Sequence, residues 1–272
     1  LSLVPPTTKD ELVHHLAVPK LYLEHGGIYE IPFMEYAYYP MNLDLLYMIP
    51  LYFGNDIIPK FIHFTFALLT GWLIFYYLKR RTNSLYALFG GVFFLSIPVI
   101  VKLSITAYID LGEIFFSFAA LILIMEWMSK DFKLKYLIWG GIMCGLALGT
   151  KYNGLVTLVI LALFIPFIYS RYQDKKSPSF VKPIFYGVIF ILVSMLVFSP
   201  WMIRNYNWKG NPIYPLYNNV FNPPKEVKQK DTQKEATAKK GMGILTYRSV
   251  MYNETGMEIA LLPIRIFFEG KD

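Results

Sequence analysis

Residues 61–78 of the sequence read FIHFTFALLTGWLIFYYL, and the basic run Lys79-Arg80-Arg81 follows at once. A helix of this length crosses most of the ~30 Å hydrocarbon core of a lipid bilayer. The core of a soluble protein does not need an apolar run this long, whereas a bilayer, itself an apolar solvent, requires one. The stretch therefore predicts a transmembrane helix.

Further apolar runs repeat this pattern along the chain, and one of them is short. The run at 137–150 spans a membrane only if Tyr136 and Lys151 lie at the two interfaces. Charged residues make up 17% of the chain, against about 25% in soluble domains, and 55% of the residues are hydrophobic. The sequence predicts an all-α fold, a polytopic membrane helix bundle of about six spans. The runs after the first are residues 84–101, 111–128, 137–150, 155–170 and 183–199.

The net charge of +7 comes from lysines and arginines that lie mostly in short runs between the apolar segments. Every second loop is basic, at residues 79–83, 129–136 and 171–182, and the positive-inside rule places these loops in the cytoplasm. The first 60 residues, the turns between the other spans and the chain after Pro200 are then predicted to face outward. Because this loop pattern accounts for the positive charge, no nucleic-acid partner is expected.

Two short pieces before the first span, at residues 10–24 and 41–53, predict helices that lie on the outer membrane surface. The polar stretch 225–240 is expected to be solvated or disordered. Because the sequence starts with Leu1 and ends without a seventh span, we expect a fragment of a longer protein. The predicted regions are a first external loop with the surface helices (1–60), the transmembrane bundle (61–199) and a second, partly disordered external loop where the chain is truncated (200–272).

Four acidic residues lie on the predicted outer face. Asp10 and Glu11 stand at the head of the first surface helix, and Asp110 and Glu113 open the third span. Carboxylates in a first helical turn favour the helix dipole and can cap the helix, and this structural interpretation is preferred for Glu11 and Glu113. Asp10 and Asp110 are instead preferred as functional groups, because two separate acids converge on one membrane face beside aromatic residues such as Tyr108.

Lys151 and Arg204 are cations at the same predicted face. Each can act as an interfacial anchor of a helix end, and Arg204 is also suited to bidentate contact with a phosphate. His14 and His15 are adjacent, so on an α-helix their side chains point about 100° apart and do not face one metal ion. With no third ligand at a usual spacing, no histidine metal site is predicted. The single cysteine, Cys144, offers neither a disulfide nor a cysteine metal site.

Short motifs with acids, aromatic residues and prolines lie mainly on the predicted outward segments. They are Asp10-Glu11, His15-Leu16, Pro19-Lys20-Leu21-Tyr22, Tyr39-Pro40, Phe53-Gly54-Asn55, Tyr108-Ile109-Asp110, the stretch from Gly145 to Lys151, Pro200-Trp201, Arg204-Asn205, Gly210-Asn211-Pro212 and Tyr214-Pro215. In their order and placement they resemble the GT-C class of membrane glycosyltransferases. The similar group contains protein mannosyltransferases, aminoarabinose transferases and rhizobial lipopolysaccharide glycosyltransferase-like proteins. The resemblance extends to about Leu216.

This resemblance implies a transfer reaction on the outer face of the membrane. A sugar would pass with inversion from a polyprenyl-phosphate donor to the hydroxyl of a lipid, glycan or protein acceptor. Asp10, or its neighbour Glu11, would be the catalytic base that takes the proton of that hydroxyl. Lys151 and Arg204 would bind the substrate by contacting the donor phosphate.

The resemblance also implies that Asp110 and Tyr108, in the second external loop, bind and position substrate.

The sequence departs from the family pattern at two places. Tyr38-Tyr39-Pro40 stands where aminoarabinose transferases place a lysine before paired prolines, which leaves the sugar and the exact donor open. The spacing of Asp110 and Glu113 differs from the metal-binding acidic pair of oligosaccharyltransferase-like relatives. We therefore expect no required metal or other cofactor, with a divalent ion left open.

Two alternatives stay open from the sequence. A transporter or channel would use the same acids to bind an ion or substrate, but such groups usually lie near the bilayer midplane on broken helices. The second alternative is a scaffold subunit that carries out no reaction. The transferase hypothesis further predicts that Asp10 and Asp110 face one outward cavity bordered by Lys151 and Arg204. It predicts a multi-pass protein of the cell membrane, in contact with membrane lipids, whose catalytic face is periplasmic, extracellular or lumenal.

Overall fold

A computed structural model describes residues 3–172, 181–223 and 255–261, and these ranges contain helices, turns and irregular segments but no β-strand. The all-α prediction is therefore confirmed. The helices are α1 (Ala17–His25), α2 (Asn42–Tyr52), α3 (Ile58–Lys79), α4 (Ser84–Ser96), α5 (Pro98–Leu103), α6 (Asp110–Ser129), α7 (Leu134–Thr150), α8 (Gly154–Tyr172), α9 (Val181–Lys209), α10 (Asn218–Phe221) and α11 (Gly256–Ala260).

Four of these helices, α3, α6, α8 and α9, are long and apolar enough to cross a membrane. Two shorter apolar helices, α4 and α7, accompany them. With 17 residues, α7 is as short as its apolar run suggested. All six predicted runs are thus largely helical, and four of them meet the length and composition of a membrane span within the described ranges.

The run at 84–101 is not one continuous helix, which corrects the prediction of a single span there. It ends as α4 at Ser96 and resumes as α5 at Pro98. Proline lacks a backbone N–H and disfavours helical geometry in the residue before it. Ile97 accordingly adopts an extended conformation, with φ −62° and ψ 125°. The two pieces have 13 and 6 residues, and neither reaches the length of a span.

Helix α9 is longer than predicted and carries Arg204 within it rather than in a loop. It continues through Pro200 to Lys209, over 29 residues. A proline inside a helix leaves the carbonyl four residues earlier without its usual partner. Here the Ser199 hydroxyl donates to the Leu196 carbonyl at 2.7 Å, which satisfies that oxygen. The helix therefore carries its last residues beyond the apolar run into the region around the first loop.

Small residues let α7 and α9 pack closely. A Cβ atom added to Gly145 would lie 2.6 Å from the Ser194 carbonyl oxygen, closer than real Cβ contacts allow. One turn earlier, the buried Ser194 hydroxyl donates to the Gly141 carbonyl at 3.1 Å. Glycine at a helix contact allows the two backbones to approach, which drives helix association in membranes through van der Waals packing. This contact fixes the position of α9 against the rest of the bundle.

The two ends of the bundle differ in charge. At one end the basic loop after α3 meets the end of α6, where Arg80 pairs with Glu126 at 2.7 Å and Arg81 contacts Ser129 at 3.3 Å. At the other end the first loop packs on the 101–110 loop, where the Ala107 N–H donates to Glu11 and the Tyr108 carbonyl accepts from Tyr47. It also packs on the turn after α7, where the Tyr39 and Tyr152 rings lie 5.8 Å apart between centroids. The grouping agrees with the predicted alternation of loops. Most of the basic loop 171–182, and the polar stretch 225–240, lie outside the described residues.

The first surface segment is also irregular, contrary to the prediction of one helix over 10–24. A π-helical turn covers Glu11–His15, with the Leu16 N–H donating to the Glu11 carbonyl at 2.9 Å. The α-helix α1 follows and is capped at its C-terminus by Gly26, where φ is +79°. The second piece, predicted at 41–53, is helical as α2. The π turn matters because the candidate site is built around it.

Candidate active site

Glu11 fastens the first loop to the bundle. Its carboxylate accepts hydrogen bonds from the Thr7 and Thr8 N–H groups, from the Thr8 hydroxyl at 2.8 Å and from the Ala107 N–H at 2.6 Å. Lys60 lies 3.9 Å away, and the Glu11 residue is 1% exposed. Burial raises the pKa of this carboxyl, but the hydrogen bonds from Ala107 and Thr8, with the charge of Lys60, hold the pKa below its usual range.

Asp10 has a different environment, although it precedes Glu11 directly. Its side chain is exposed and lies on the wall of a cavity of about 410 Å³ at the end of the bundle opposite Arg80. The neighbouring Glu11 turns inward to the Ala107 backbone. Two adjacent acids thus separate into one accessible carboxylate and one whose oxygens are already hydrogen-bonded.

The cavity lies between the first loop and the turn that joins α7 to α8. Its walls are polar and aromatic rather than uniformly apolar, which suits a polar ligand held at the end of a membrane bundle. The residues that line it are Lys9, Asp10, Val13, His14, His15, Tyr36, Tyr39, Pro40, Ile109, Thr150, Lys151, Tyr152, Asn153 and Leu216.

Lys151 brings a positive charge to this cavity. Its Nζ atom lies 2.6 Å from Asp110 Oδ1, and the two side chains are 36% and 29% exposed. At that exposure an ion pair contributes about 0–1 kcal/mol to stability, so its main effect is to orient the ammonium group. Asp110 is not itself among the residues that line the cavity. It acts on the cavity through Lys151.

His14, His15 and Asp44 form a polar cluster at the cavity wall. The His15 Nδ1 atom lies 2.8 Å from Asp44 Oδ1, and the two imidazole rings stack with their centroids 4.3 Å apart. This corrects the expectation that the adjacent histidines diverge, which assumed a regular α-helix rather than a π turn. Burial, and then the proximity of His15, lower the pKa of His14 to about 4, so its imidazole is neutral at neutral pH.

Tyr108 lies behind this cluster. Its ring is 5.6 Å from the His15 ring between centroids, and its backbone carbonyl accepts a hydrogen bond from the Tyr47 hydroxyl. Tyr47 is fully buried on α2. Tyr108 therefore supports the wall from behind and is not among the residues that line the cavity.

Arg204 also lies behind the wall. Its guanidinium donates to the Tyr38 and Tyr39 carbonyls at 2.7 and 3.0 Å, and it lies over the Trp201 and Trp208 rings at 4.5 and 4.9 Å from their centroids. Of these residues Tyr39 alone lines the cavity. The arginine thus holds the backbone of the first loop, and its substrate-binding role stays a prediction.

The structure therefore brings the predicted residues together unevenly. Asp10 and Lys151 line one cavity, and Asp110 joins them through its ion pair with Lys151. Glu113, one turn after Asp110, instead accepts a hydrogen bond from the Ser117 hydroxyl at 2.9 Å and lines a separate apolar groove. Whether any of these residues takes part in catalysis or binding stays a prediction.

Some residues of the wall were missed in the sequence. Tyr36 lies in the 3₁₀ turn Glu35–Tyr38, and Tyr39 follows that turn directly. Tyr39 was singled out only as part of the motif Tyr39-Pro40, and its spacing of three from Tyr36 was an available signal for both. Asp44, inside the second short piece, was also missed, and it is fully buried and bonded to His15. A buried acid needs a partner, so its position in an apolar helix was a second signal.

Together these features define an α-helical membrane protein with a polar, acid-bearing cavity at one end of its bundle. The sequence model of the dolichyl-phosphate-mannose-protein mannosyltransferase family matches residues 53–203, more than half of the chain. The chain therefore belongs to this family of membrane glycosyltransferases. No curated protein and no solved structure matches it in the same comparisons.

The match divides the candidate site. Tyr108, Asp110 and Lys151 lie within the matched residues, Asp10 precedes them and Arg204 directly follows them. Family membership supports the transferase hypothesis over the transporter alternative, with a polyprenyl-phosphate-linked sugar as donor.

Proposed function

We propose that this protein transfers a sugar, with inversion, from a polyprenyl-phosphate donor to an acceptor hydroxyl at the outer face of the membrane. The observation that carries the proposal is that an exposed carboxylate, Asp10, and a cation, Lys151, line the same cavity. A base and an anion-binding group in one polar cavity are the two functions that this reaction requires.

Asp10 is the proposed general base. It accepts the proton of the acceptor hydroxyl while the hydroxyl oxygen forms a bond to the anomeric carbon of the donor. The bond between that carbon and the phosphate oxygen breaks, and its electron pair leaves with the polyprenyl phosphate. Attack on the face opposite the leaving group inverts the anomeric carbon. Because the Asp10 side chain is exposed, an acceptor can reach it directly.

Lys151 is the proposed phosphate ligand. Negative charge grows on the phosphate oxygen as the sugar leaves, and a fixed cation near that oxygen lowers the barrier. Asp110 fixes the Lys151 side chain from one side at 2.6 Å, which favours one orientation of the ammonium group. Arg204 does not line the cavity and holds the Tyr38 and Tyr39 carbonyls, so Lys151 is the cation placed to contact the phosphate.

The outer location rests on the distribution of lysine and arginine. The basic loop after α3 meets the end of α6 at the end of the bundle opposite the cavity, and the positive-inside rule predicts that this end is cytoplasmic. Single cysteines at Tyr29 and Lys133, in a chain whose Cys144 is replaced, test this with a membrane-impermeant reagent. In intact cells we expect labelling of the Tyr29→Cys variant alone. Labelling of the Lys133→Cys variant alone would show that the topology is the opposite one.

Product stereochemistry tests the reaction itself. The protein in liposomes is supplied with a polyprenyl-phosphate-linked mannose and a soluble hydroxyl acceptor, and the product is examined by NMR. We expect an anomeric configuration opposite to that of the donor. Retention of configuration would indicate a covalent intermediate and would refute Asp10 as a base. Absence of any transfer with mannose, with other lipid-linked sugars giving product, would change the donor and leave the mechanism in place.

A further inference from the structure

Two atoms of the cluster at the cavity wall are buried and have no hydrogen-bond partner in the part of the chain that the structure describes. They are Nε2 of His14 and Oδ2 of Asp44. Asp44 is 0% exposed as a residue. Buried polar atoms are almost always paired, so two orphans in one cluster need an explanation.

The hydrogen bond between His15 and Asp44 does not supply it. That bond uses Nδ1 of His15 and Oδ1 of Asp44, and it joins the π turn to α2. A purely structural tether would need only this pair. It leaves the second oxygen of Asp44 and the His14 nitrogen without a role.

The geometry points to a site for a divalent transition-metal ion, with Zn²⁺ as the ion we propose. One ligand atom from each of His14, His15 and Asp44 lies within 4.8 Å of the others. Ligand atoms on one zinc ion stand roughly 3.3 Å apart, since each is about 2.0–2.2 Å from the metal. The side chains would have to bring these atoms closer by up to roughly 1.5 Å to close on an ion.

The donor set determines the class of ion. Two neutral imidazoles and one carboxylate suit zinc and other first-row transition metals, whereas magnesium and calcium prefer oxygen ligands alone. Zinc binds histidine through the nitrogen lone pair of a neutral imidazole, and the unpartnered Nε2 atom of His14 offers one. Stacking of His14 on Tyr36, with ring centroids 5.1 Å apart, restrains the ring from the other side.

The cluster also has room for the remaining ligand. His14 and His15 both line the 410 Å³ cavity, which can hold a water molecule or a substrate oxygen in the fourth position. Three protein ligands with one open position are the arrangement of reactive zinc sites, whereas structural sites are closed by four protein ligands. The proposal does not depend on the transferase reaction, because metal binding is measured directly.

The test uses the full chain in detergent, purified without a histidine tag and stripped with a chelator. Zinc at about 100 μM, well above a micromolar Kd, is then added, and bound metal is counted by mass spectrometry after gel filtration. We expect one zinc per chain and histidine scattering in the X-ray absorption spectrum. His14→Ala and Asp44→Asn should each weaken binding at least about tenfold, as loss of ligands or their close supports does.

His25→Ala is the matched control, because His25 is an exposed histidine on the same surface segment, away from the cluster. It should bind zinc as the wild type does. Helical circular dichroism and elution volume identify any variant that fails to fold, and His14→Ala, which leaves the bond between His15 and Asp44 intact, then decides. No retained zinc in the folded wild type, or equal binding in wild type and His14→Ala, would overturn the proposal. Equal loss in His25→Ala would do so too.

Discussion

Replacing Glu11 by glutamine tests whether this carboxylate has a structural role or a catalytic one. The two carboxylate oxygens serve different partners, since Oε1 accepts from the Ala107 N–H and Oε2 accepts from Thr7 and Thr8. A glutamine presents one oxygen and one NH₂ group. Whichever way it turns, its NH₂ group faces N–H donors and at least one set of hydrogen bonds is lost.

The size of the effect follows from these contacts. A hydrogen bond to a charged group contributes about 1.5–3 kcal/mol, and a buried donor left unpaired adds its desolvation cost. Glu11→Gln also removes the negative charge 3.9 Å from Lys60. We expect the free energy of unfolding to fall by about 2–4 kcal/mol. Glu24→Gln is the control, because Glu24 is exposed on α1 and should change stability little.

The same variant has a defined pH dependence. The folded-state pKa of Glu11 lies below its ordinary value of 4.5, so the carboxylate contributes to stability above pH 4.5, and that contribution is lost as pH falls through the lower folded-state pKa. The stability gap between wild type and Glu11→Gln should therefore be full at neutral pH and close in acid. Unfolding in mixed micelles across this pH range measures it. Equal stability of the two proteins at pH 7, or loss of transfer in a fully stable Glu11→Gln protein, would refute the structural assignment.

Two further predictions concern the bundle and the donor. Gly145→Ala should destabilise the protein by about 1–3 kcal/mol in a thermal unfolding assay, because the new methyl group overlaps the backbone of α9. Gly27→Ala is the control and should be neutral in the same assay, because its methyl group meets no atom within 4 Å. Lys151→Met should weaken binding of a polyprenyl-phosphate sugar by about 1.5–3 kcal/mol, the value of a charged hydrogen bond, with unchanged helical content. Donor affinity in Lys151→Met equal to that of the wild type would remove Lys151 from the phosphate site.

Apolar run length made the helices predictable, because a bilayer imposes a length and a polarity on anything that crosses it. The same criterion could not locate the break at Ile97, since the residues on both sides are equally apolar. The cause is the extended backbone of Ile97, which Pro98 favours. The position of the proline therefore predicts the break, whereas hydropathy does not. At Pro200 the helix continues instead, and the Ser199 hydroxyl donates a hydrogen bond to the Leu196 carbonyl that the proline leaves without its usual partner.

The sequence predicted some members of the site and little of its geometry. Sequence placed Asp10 and Lys151 on one face, and they do line one cavity. The separation of Asp10 from Glu11 depends on the Ala107 N–H, a backbone group 96 residues away, and no local pattern reports such a contact. The stacking of His14 on His15 depends on a π turn, whose i→i+5 hydrogen bond leaves no clear signal in residue type.

The rate of sugar transfer by Asp10→Asn tests the central claim most directly. Asparagine keeps the shape of the side chain but cannot accept the proton, and a positioned general base contributes about 10²–10⁴-fold. Donor binding and thermal stability are measured on the same preparation, because Asp10 is exposed and its replacement should alter neither. We expect a rate lower by about 10²–10⁴-fold with unchanged donor affinity. A transfer rate equal to that of the wild type would show that Asp10 is not the base.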